Sequence, residues 1–249
     1  MQQVDPQAAC SAALLYHRMG WPRLSSLVPG QYVMPGALNR QLRSLLDHTW
    51  TLSSVDEIAA HSPTTPLSHR RFVVTFDDGY ESVYRAAAPV LQELGVGALL
   101  FVVVDAIGGI NSWDRAAGDV EEKIVNTEQL RELAAGGFEI GSHTLTHVRL
   151  SEMTPERLKI EVEDSKHKLE DLLSREVRCF SYPYGDYNEA VIEATRTAGY
   201  KYAFTTCLGV ISADTSPLEI PRVNIRWNSI GPLLTRKLRR AVRASGLAS

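Results

Sequence analysis

Two pairs of side chains in this 249-residue chain have the types and spacing of a metal centre. His143 and His147 stand four residues apart in G-S-H-T-L-T-H, and Asp77 and Asp78 are adjacent in V-V-T-F-D-D-G-Y. Two imidazoles and one carboxylate commonly hold a divalent cation and leave a coordination position open for water. The neighbouring carboxylate is then free to act as a general base on that water. These residue types therefore indicate metal-assisted hydrolysis.

Each pair also has a simpler interpretation. Asp and Gly favour turns, so D-D-G by itself is typical of an ordinary turn. Histidines with this spacing also occur on protein surfaces, and the run F-E-I-G-S before His143 places the pair at a strand end rather than on one face of a helix. The metal interpretation is favoured because both pairs directly follow strand-like runs, which gives them matching positions.

Strand-like and helix-like segments alternate along the chain. Strands are predicted at residues 12–16, 71–76, 98–104, 138–142, 177–182, 202–206 and 223–227, and helices at 37–50, 82–94, 127–135, 156–173, 188–199 and in the C-terminal segment. Such alternation predicts an α/β fold with a parallel sheet, and about seven units favour a closed barrel over an open sheet. No Gly-rich nucleotide motif follows the first strand, which argues against a dinucleotide-binding fold.

The polarity of the predicted strands brings the candidate residues together. Asp77, His143 and Tyr184 each come just after a strand, and the carboxyl ends of barrel strands form the face that carries active sites. The loop at 61–70 is rich in Ser, Thr and Pro, and residues 108–125 are expected to form a long irregular insertion. Loops of that length are often functional.

Length and composition predict a single domain over residues 1–249. The hydrophobic content of 44% supports a substantial core, and the net charge of −3 gives no field that would attract nucleic acid. There is no apolar run of about 20 residues, so no transmembrane helix is expected. The start M-Q-Q-V-D-P-Q lacks the features of a signal peptide, which predicts a cytoplasmic protein. A trimmed sequence would hide an export signal, so an extracytoplasmic location stays open.

Residues 231–249 predict a C-terminal basic amphipathic helix. Leu233, Leu234, Leu238 and Val242 recur at helical spacing, and T-R-K-L-R-R-A-V-R supplies the cations. We expect the apolar stripe to pack on the barrel and the basic face to be solvated. Contact with a membrane surface or with phosphate is the alternative.

Three segments together resemble the polysaccharide deacetylase family, carbohydrate esterases that act on N-acetylated or O-acetylated glycans. The segments T-F-D-D-G-Y, S-H-T-L-T-H and F-S-Y-P-Y-G-D-Y-N follow the family's order and approximate spacing within residues 12–226. The segments L-L-Y-H-R-M-G, E-L-G-V-G-A-L-L-F-V and S-K-H-K-L-E-D-L-L resemble the branch that includes poly-N-acetylglucosamine deacetylases. Any one motif would be weak, but the combination is specific.

The resemblance implies a fold, a cofactor and a set of site residues. The fold would be a deformed (β/α)7 barrel, with Asp77 as the general base and with Asp78, His143 and His147 holding one divalent ion. Zinc is the commonest metal in the family, and cobalt and nickel also occur. The backbone N–H of Tyr184 would stabilise the oxyanion of the reaction. Taken alone, P-Y-G is also typical of an ordinary turn.

The chain departs from the family pattern at two positions. Ser181 stands where many members have an arginine that orients the base. Arg222 occupies the stretch that usually supplies a histidine as general acid, and arginine does not titrate near neutral pH. Arg222 could instead orient Asp77 through a charged hydrogen bond. The leaving amine would then take its proton from Asp77 or from another group, such as His17, whose alternative interpretation is a structural histidine.

Several side chains are candidates for contact with sugar rings. They are Trp113, Tyr184, Tyr187 and Trp227, with His17 nearby, although core or rim packing is the commoner role of aromatic residues. The resulting prediction is a metal-dependent hydrolase that removes acetyl groups from N-acetylhexosamine units of a glycan or glycan precursor. The alternatives are an O-acetyl esterase or deformylase on the same scaffold, or a noncatalytic glycan-binding module. No nucleic-acid partner is expected, and the sequence does not define an oligomeric state.

Overall fold

A computed structural model describes residues 11–23, 25–48, 50–59 and 70–247 of the chain. Most of the predicted loop at 61–70 lies outside these residues, as do the last two residues of the predicted C-terminal helix. Strands form the centre of the structure and helices pack around them.

The strands close into a parallel barrel. They are β1 (Ser11–Tyr16), β2 (Arg18–Met19), β3 (Tyr32–Val33), β4 (Trp50–Leu52), β5 (Arg70–Phe76), β6 (Ala98–Val102), β7 (Phe138–Ser142), β8 (Cys179–Ser181), β9 (Tyr202–Leu208) and β10 (Ile220–Asn224). The main sheet has the order β1-β10-β9-β8-β7-β6-β5-β4, and β1 also pairs with β5. That pairing closes seven strands into a ring, while β2 and β3 pair separately. The predicted α/β barrel is confirmed.

The helices alternate with the strands. They are α1 (Pro35–Asp47), α2 (Val55–Ala59), α3 (Ala88–Leu94), α4 (Ser112–Ala116), α5 (Thr127–Ala135), α6 (Pro155–Lys159), α7 (Ser165–Leu173), α8 (Glu189–Thr197) and α9 (Pro232–Ala244). Asn126 and Asn188 cap α5 and α8 by accepting hydrogen bonds from backbone N–H groups of the first turn. Wider π-type turns at Val83–Ala87 and Ile160–Asp164 lead into α3 and join α6 to α7.

The last barrel strand begins earlier than predicted. The sequence indicated a strand at 223–227, whereas β10 ends at Asn224 and includes Pro221. A proline lacks the N–H that a strand ladder needs, so Pro221 is unfavourable within a strand. The register between β10 and β9 shifts at Pro221, and this irregularity accommodates the proline. As a result Arg222 lies within the barrel wall rather than before it.

A small apolar cluster fills the barrel and a larger one lies between the barrel and its helices. The inner cluster consists of Ala13, Val55, Val73, Leu99, Phe101, Cys179, Phe204, Ile211 and Ile220. Gly141 makes room for it, since a Cβ there would lie 2.5 Å from the ring of Phe101. The guanidinium of Arg222 lies 5.8 Å from the ring centroids of both Phe101 and Phe204. The inner cluster is therefore the floor on which Arg222 rests.

The insertion at 108–125 contains one short helix, α4, and isolated β-bridges in otherwise irregular backbone, and a buried arginine holds it against the barrel. Arg18 is 1% exposed, and its guanidinium lies 2.6 Å from Asp114 and 2.8 Å from Asp119. It also donates hydrogen bonds to two tyrosine hydroxyls, one of them that of Tyr80, which follows the D-D-G segment. Arg18 therefore fixes the insertion beside the D-D-G segment.

Helix α9 carries a basic outer face. Leu234, Leu238 and Val242 are buried, but Leu233 is 49% exposed, so its predicted place in the apolar stripe was wrong. No acidic residue occurs in this helix, P-L-L-T-R-K-L-R-R-A-V-R-A. None of the described helices combines the length and apolarity needed to cross a bilayer. That residues 1–249 form one domain stays a prediction.

We expect Arg18→Met to lower the free energy of unfolding by about 3 kcal/mol or more, because the change leaves the carboxylates of Asp114 and Asp119 without their buried partner. Urea denaturation at pH 7 measures the loss. Arg43→Met is the matched control, since Arg43 pairs with Glu93 at the surface, where a pair contributes at most about 1 kcal/mol. Equal effects of the two substitutions would contradict the role given to Arg18.

Candidate metal centre

The carboxyl ends of β5 and β7 bring three potential metal ligands together. Asp78, His143 and His147 each offer one ligand atom, and these atoms all lie within 4.8 Å of one another. Oδ1 of Asp78 lies 3.4 Å from Nε2 of His143 and 3.3 Å from Nε2 of His147. All three side chains are buried. The structure therefore places the predicted ligands in one compact cluster at a barrel mouth.

Unusual backbone conformations are concentrated around this cluster. Left-handed φ angles occur at Asp78 (74°), Thr144 (68°), His147 (61°) and Tyr184 (60°), and at Ser174 (52°) outside the motifs. Such conformations are costly for residues that carry a Cβ, and they tend to cluster at functional sites. The conformations of D-D-G and P-Y-G are thus more than ordinary turns, because they direct side chains into the mouth.

The donor set fits a divalent cation. Nδ1 of His143 lies 2.7 Å from the carbonyl oxygen of Ser181, so in the neutral ring Nδ1 carries the proton and Nε2 presents a lone pair toward Asp78. A lone pair and a carboxylate oxygen repel each other at this distance unless a cation or a proton lies between them. Nδ1 of His147 is buried and has no hydrogen-bond partner among the described residues. A bound cation would remove the repulsion between Nε2 of His143 and the carboxylate of Asp78.

The electrostatics keep Asp78 ionised. Burial alone would raise its pKa, but hydrogen bonds from the imidazoles of His143 and His147, in the state in which their Nε2 atoms carry protons, hold the pKa of Asp78 well below its usual range. For His143, burial lowers the pKa while Asp78 and Asp77 raise it, and the net result is a raised pKa. The cluster therefore brings a carboxylate and two imidazoles together among buried side chains.

Asp77 does not join the cluster but faces Arg222. Oδ1 of Asp77 accepts a hydrogen bond from Nη1 at 2.7 Å, and Oδ2 accepts one from Nη2 at 2.6 Å. Both side chains are almost fully buried. Burial would raise the pKa of Asp77, but the charges of Arg222 and His143 outweigh it and hold the pKa below its usual value. Asp77 is therefore an oriented, ionised carboxylate directly beside the cluster.

Ser181 and Arg222, the two positions at which the chain departs from the family pattern, are hydrogen-bonded to each other. Nη2 of Arg222 donates to Oγ of Ser181 at 2.9 Å, and Ser181 in turn donates to Oδ2 of Asp77 at 3.2 Å. The guanidinium is also bound to the carbonyl oxygen of Thr205 and to Oγ1 of Thr75. The arginine that contacts Asp77 thus comes from β10, and the short side chain on β8 completes its hydrogen bonding. A guanidinium held in this way can orient a carboxylate, but it does not transfer a proton to a substrate.

The P-Y-G segment places Tyr184 at the rim of the mouth. The side chain is 48% exposed, and its ring lies edge-on to His147 with centroids 4.5 Å apart. The guanidinium of Arg149 lies 4.6 Å from the centroid of the same ring. Gly185 is required here, because it has a φ of 70° and a Cβ would lie 1.9 Å from Oγ1 of Thr206.

The aromatic candidates separate into two groups. Trp113, from the insertion, stacks on His147 at 4.7 Å, so this imidazole lies against both Trp113 and Tyr184. Tyr187 instead stacks on Tyr182 at 4.8 Å, and burial raises the pKa of Tyr187 to about 12. Trp227 is 57% exposed beyond the end of β10 and takes no part in the ring contacts found among the described residues. The structure brings only Trp113 and Tyr184 to the cluster.

His17 lies between β1 and β2 and within electrostatic reach of the cluster. Burial lowers the pKa of His17, although the nearby carboxylates of Asp78 and Asp77 oppose this effect. The imidazole is therefore neutral near pH 7 and would have to gain a proton before donating one. This state favours the structural interpretation, and the role of His17 in proton transfer stays a prediction.

Comparison with known proteins identifies the family. The family model for polysaccharide deacetylases matches residues 64–203, which is more than half of the chain. This chain belongs to the polysaccharide deacetylase family. YxkH of Bacillus subtilis is named as a polysaccharide deacetylase. It is 32% identical to this chain over 158 residues, which cover 64% of this chain and 52% of YxkH. This chain therefore spans about half the length of that relative.

Other relatives extend the likeness. The poly-beta-1,6-N-acetyl-D-glucosamine N-deacetylase of Staphylococcus epidermidis is 23% identical over 203 residues, covering 78% of this chain and 68% of that protein. The structure of IcaB from Ammonifex degensii is 26% identical with a TM-score of 0.76, covering 93% of this chain and 97% of that one. The Streptococcus pyogenes deacetylase PplD, solved with acetate, has a TM-score of 0.79 at 22% identity, covering 93% and 99%. The expected deformed (β/α)7 barrel is confirmed.

Sequence reasoning missed two buried charges that lie close to the candidate metal centre and its supporting loops. Arg18 directly follows His17 in L-L-Y-H-R, and Glu161 lies between Leu158 and Val162 on the buried side of its helix. A charged residue within an otherwise apolar stripe was the available signal, because such residues are rarely buried without a partner.

We expect the Arg222→Met substitution to show the electrostatic role of Arg222 in a pH-dependent loss of stability. Because the pKa of Asp77 is lowered on folding, the pair stabilises the protein above the unfolded-state pKa of about 3.9 and loses this effect as the pH falls through the lower folded value. Without Arg222, burial would raise the pKa of Asp77 instead. The variant should lose about 3 kcal/mol or more at pH 7, and less as the pH approaches 4.

Urea denaturation of the metal-free wild type and variant at several pH values measures this difference. Arg43→Met again serves as the control, because Arg43 and Glu93 are both exposed. A loss of the same size at pH 7 and at pH 4.5 would show that Arg222 contributes packing but not charge.

Proposed function

We propose that this chain is a metal-dependent N-deacetylase that removes acetyl groups from N-acetylhexosamine units of a glycan or glycan precursor. The observation that carries the proposal is the ionised, buried Asp77 beside the cluster of Asp78, His143 and His147. Membership of the polysaccharide deacetylase family supports deacetylation. The staphylococcal relatives, named as poly-beta-1,6-N-acetyl-D-glucosamine N-deacetylases, support the substrate class.

Asp78, His143 and His147 would hold the cation. The set of two nitrogen donors and one oxygen donor suits zinc with an open position, and cobalt or nickel accept the same ligands. When bound, the cation supplies Lewis acidity toward the acetyl carbonyl and lowers the pKa of water. Trp113 and Tyr184, which pack on His147, keep its ring in place and limit the access of bulk water from those sides.

Asp77 acts as the general base in this proposal. Its two hydrogen bonds to Arg222 fix the plane of the carboxylate, and each carboxylate oxygen keeps acceptor capacity for a proton from the attacking water. Because Arg222 lowers the pKa of Asp77, the protonated carboxyl is a strong acid in its turn. Asp77 can therefore pass the proton on to the leaving amine, which removes the need for the missing histidine.

Tyr184 completes the proposed site in two ways. Its left-handed conformation, followed by that of Gly185, turns the backbone sharply at the mouth, which supports its N–H as a donor to the oxyanion of the acetyl group. Its half-exposed ring and the indole of Trp113 offer apolar faces to a sugar ring. The observed surroundings of Tyr187 and Trp227 do not add support for their predicted role in binding sugar rings.

O-acetyl ester hydrolysis is a second candidate function, and one observation favours it. Arg222 stands where family members usually supply a histidine as general acid, and it is fully engaged with Asp77, Ser181, Thr75 and Thr205. An amine leaves only after it is protonated, whereas an alcohol is a better leaving group and depends less on a separate acid.

Acetate release from N-acetylglucosamine oligomers tests the proposal. We expect release that a chelator abolishes and that added zinc or cobalt restores. The Asp77→Asn variant should lose at least about 100-fold in kcat, because the amide has a similar shape but cannot accept the proton, and it should still bind the metal. Isotope-edited or chromogenic detection of acetate measures kcat, and thermal unfolding confirms that the variant is folded.

Two outcomes would contradict parts of the proposal. No metal-dependent acetate release from any acetylated sugar, with N-acetyl and O-acetyl substrates both included, would exclude a deacetylase. Loss of metal binding in Asp77→Asn would make Asp77 a ligand rather than the base. Higher kcat/KM on O-acetyl sugars than on N-acetyl sugars would select the second candidate.

A further inference from the structure

We propose that the buried carboxylate of Glu161 positions both histidines of the metal centre by fixing the backbone between them. This proposal rests on the proposed metal site and adds a residue that lies outside the three motifs. Glu161 does not contact the ligand atoms themselves, so it acts as a positioning residue.

The segment between the two histidines has no helical or strand pattern, yet each of its backbone N–H groups has a partner. The bonds are His143 N to Val102 O at 2.9 Å, Thr144 N to Ser142 Oγ at 3.1 Å, Leu145 N and Thr146 N to Glu161 Oε2 at 3.0 Å each, and His147 N to Thr144 Oγ1 at 2.9 Å. Glu161 thus binds the two consecutive N–H groups at the middle of the segment. Consecutive N–H groups of this kind form a concave site for an anion.

The second oxygen of Glu161 ties down a side chain of the same segment. Oε1 accepts hydrogen bonds from Oγ1 of Thr146 at 2.6 Å and from Nη2 of Arg157 at 2.5 Å. Glu161 is 0% exposed, whereas the side chain of Arg157 is 46% exposed. A carboxylate this deeply buried is stable only because all these donors converge on it, and hydrogen bonds to an ionised group are the stronger ones.

A local widening of the helix delivers Glu161 to this position. The π-type turn Ile160–Asp164 lies between α6 and α7, and turns of this kind are frequent at functional sites. Its buried residues are Glu161 and Val162. One turn further on, Oγ of Ser165 accepts a hydrogen bond from Oγ of Ser142, the residue before His143, at 2.8 Å. The same helix therefore contacts both the start and the middle of the histidine segment.

The hydrogen bonds to Glu161 hold a strained segment. Thr144 and His147 both have left-handed φ angles, which persist only where surrounding contacts enforce them. If the contacts to Glu161 were lost, the backbone could relax and the two imidazoles would separate from their common point near Asp78. Residues that orient metal ligands without touching the metal typically change metal affinity by about 10- to 100-fold when mutated.

The Glu161→Gln substitution tests the proposal through metal binding rather than activity. The amide has nearly the same shape but carries no charge, and its NH₂ group replaces one acceptor oxygen with a donor that faces other donors. We expect the Kd for Zn²⁺, measured by competition with a chromophoric chelator, to rise by about tenfold or more. The visible absorption spectrum of the Co²⁺-loaded variant should also change, because it reports ligand geometry.

Glu163→Gln is the matched control. Glu163 lies in the same π-type turn, but its side chain is 32% exposed and pairs with Lys159 at 3.7 Å, away from the histidine segment. Its substitution should leave both the Zn²⁺ Kd and the Co²⁺ spectrum unchanged. A purely structural role for Glu161 would lower the melting temperature of Glu161→Gln without moving either metal readout, and that result would overturn the proposal.

A second variant decides the matter if Glu161→Gln does not fold. Thr146→Val removes one hydrogen bond to Glu161 and keeps the buried charge, so we expect the Zn²⁺ Kd to rise by at least about threefold. An unchanged Kd in this folded variant would overturn the positioning role. Failure of the wild-type protein to bind Zn²⁺ or Co²⁺ is a different result, since it would overturn the metal site itself and with it this proposal.

Discussion

Two neighbouring carboxylates are buried side by side in this structure, and each stays ionised because it has cationic or polar partners of its own. Asp77 faces the guanidinium of Arg222, whereas Asp78 faces the imidazoles of His143 and His147. Adjacent buried charges of like sign would otherwise raise each other's pKa until one was neutral. The left-handed backbone of Asp78 accompanies the separation of the two side chains. The division of labour between a ligand and a base depends on this separation.

The barrel supplies the partners from distant parts of the chain. Asp77 follows β5, His143 follows β7, and Arg222 lies in β10, so three strands contribute to one buried charge network. The apolar floor of Phe101 and Phe204 keeps water from the inner side of the guanidinium. In such surroundings a bidentate ion pair is both strong and rigid, which is what the orientation of a base requires.

The sequence predicted the parts of the site that follow from local pattern and strand polarity. D-D-G and the paired histidines each end a strand-like run, and parallel strands in a barrel bring such ends to one face. The family resemblance added the assignment of Asp77 and Asp78 to separate roles, which local pattern alone left open. The last strand was misplaced because proline is unfavourable within a strand, and Pro221 lies where the register of the sheet shifts.

The contacts that the sequence could not reveal all join residues far apart in the chain. Nothing in S-Y-P-Y-G indicates that Ser181 completes the hydrogen bonding of an arginine 41 residues later. The burial of Arg18 depends on carboxylates in an insertion that the pattern presented as irregular. Glu161 reaches the histidine segment from a π-type turn, and such a widening leaves no periodic signal in the sequence. These supporting residues are visible only when the packing is known.

Anomalous diffraction from crystals loaded with zinc tests the central claim most directly. A single strong peak should lie about 2.0–2.2 Å from a carboxylate oxygen of Asp78 and from Nε2 of both His143 and His147. The carboxylate of Asp77 should remain bound to Arg222 and outside the coordination shell. A peak elsewhere in the molecule, or one coordinated by Asp77 in place of Asp78, would contradict the assignment of these four residues.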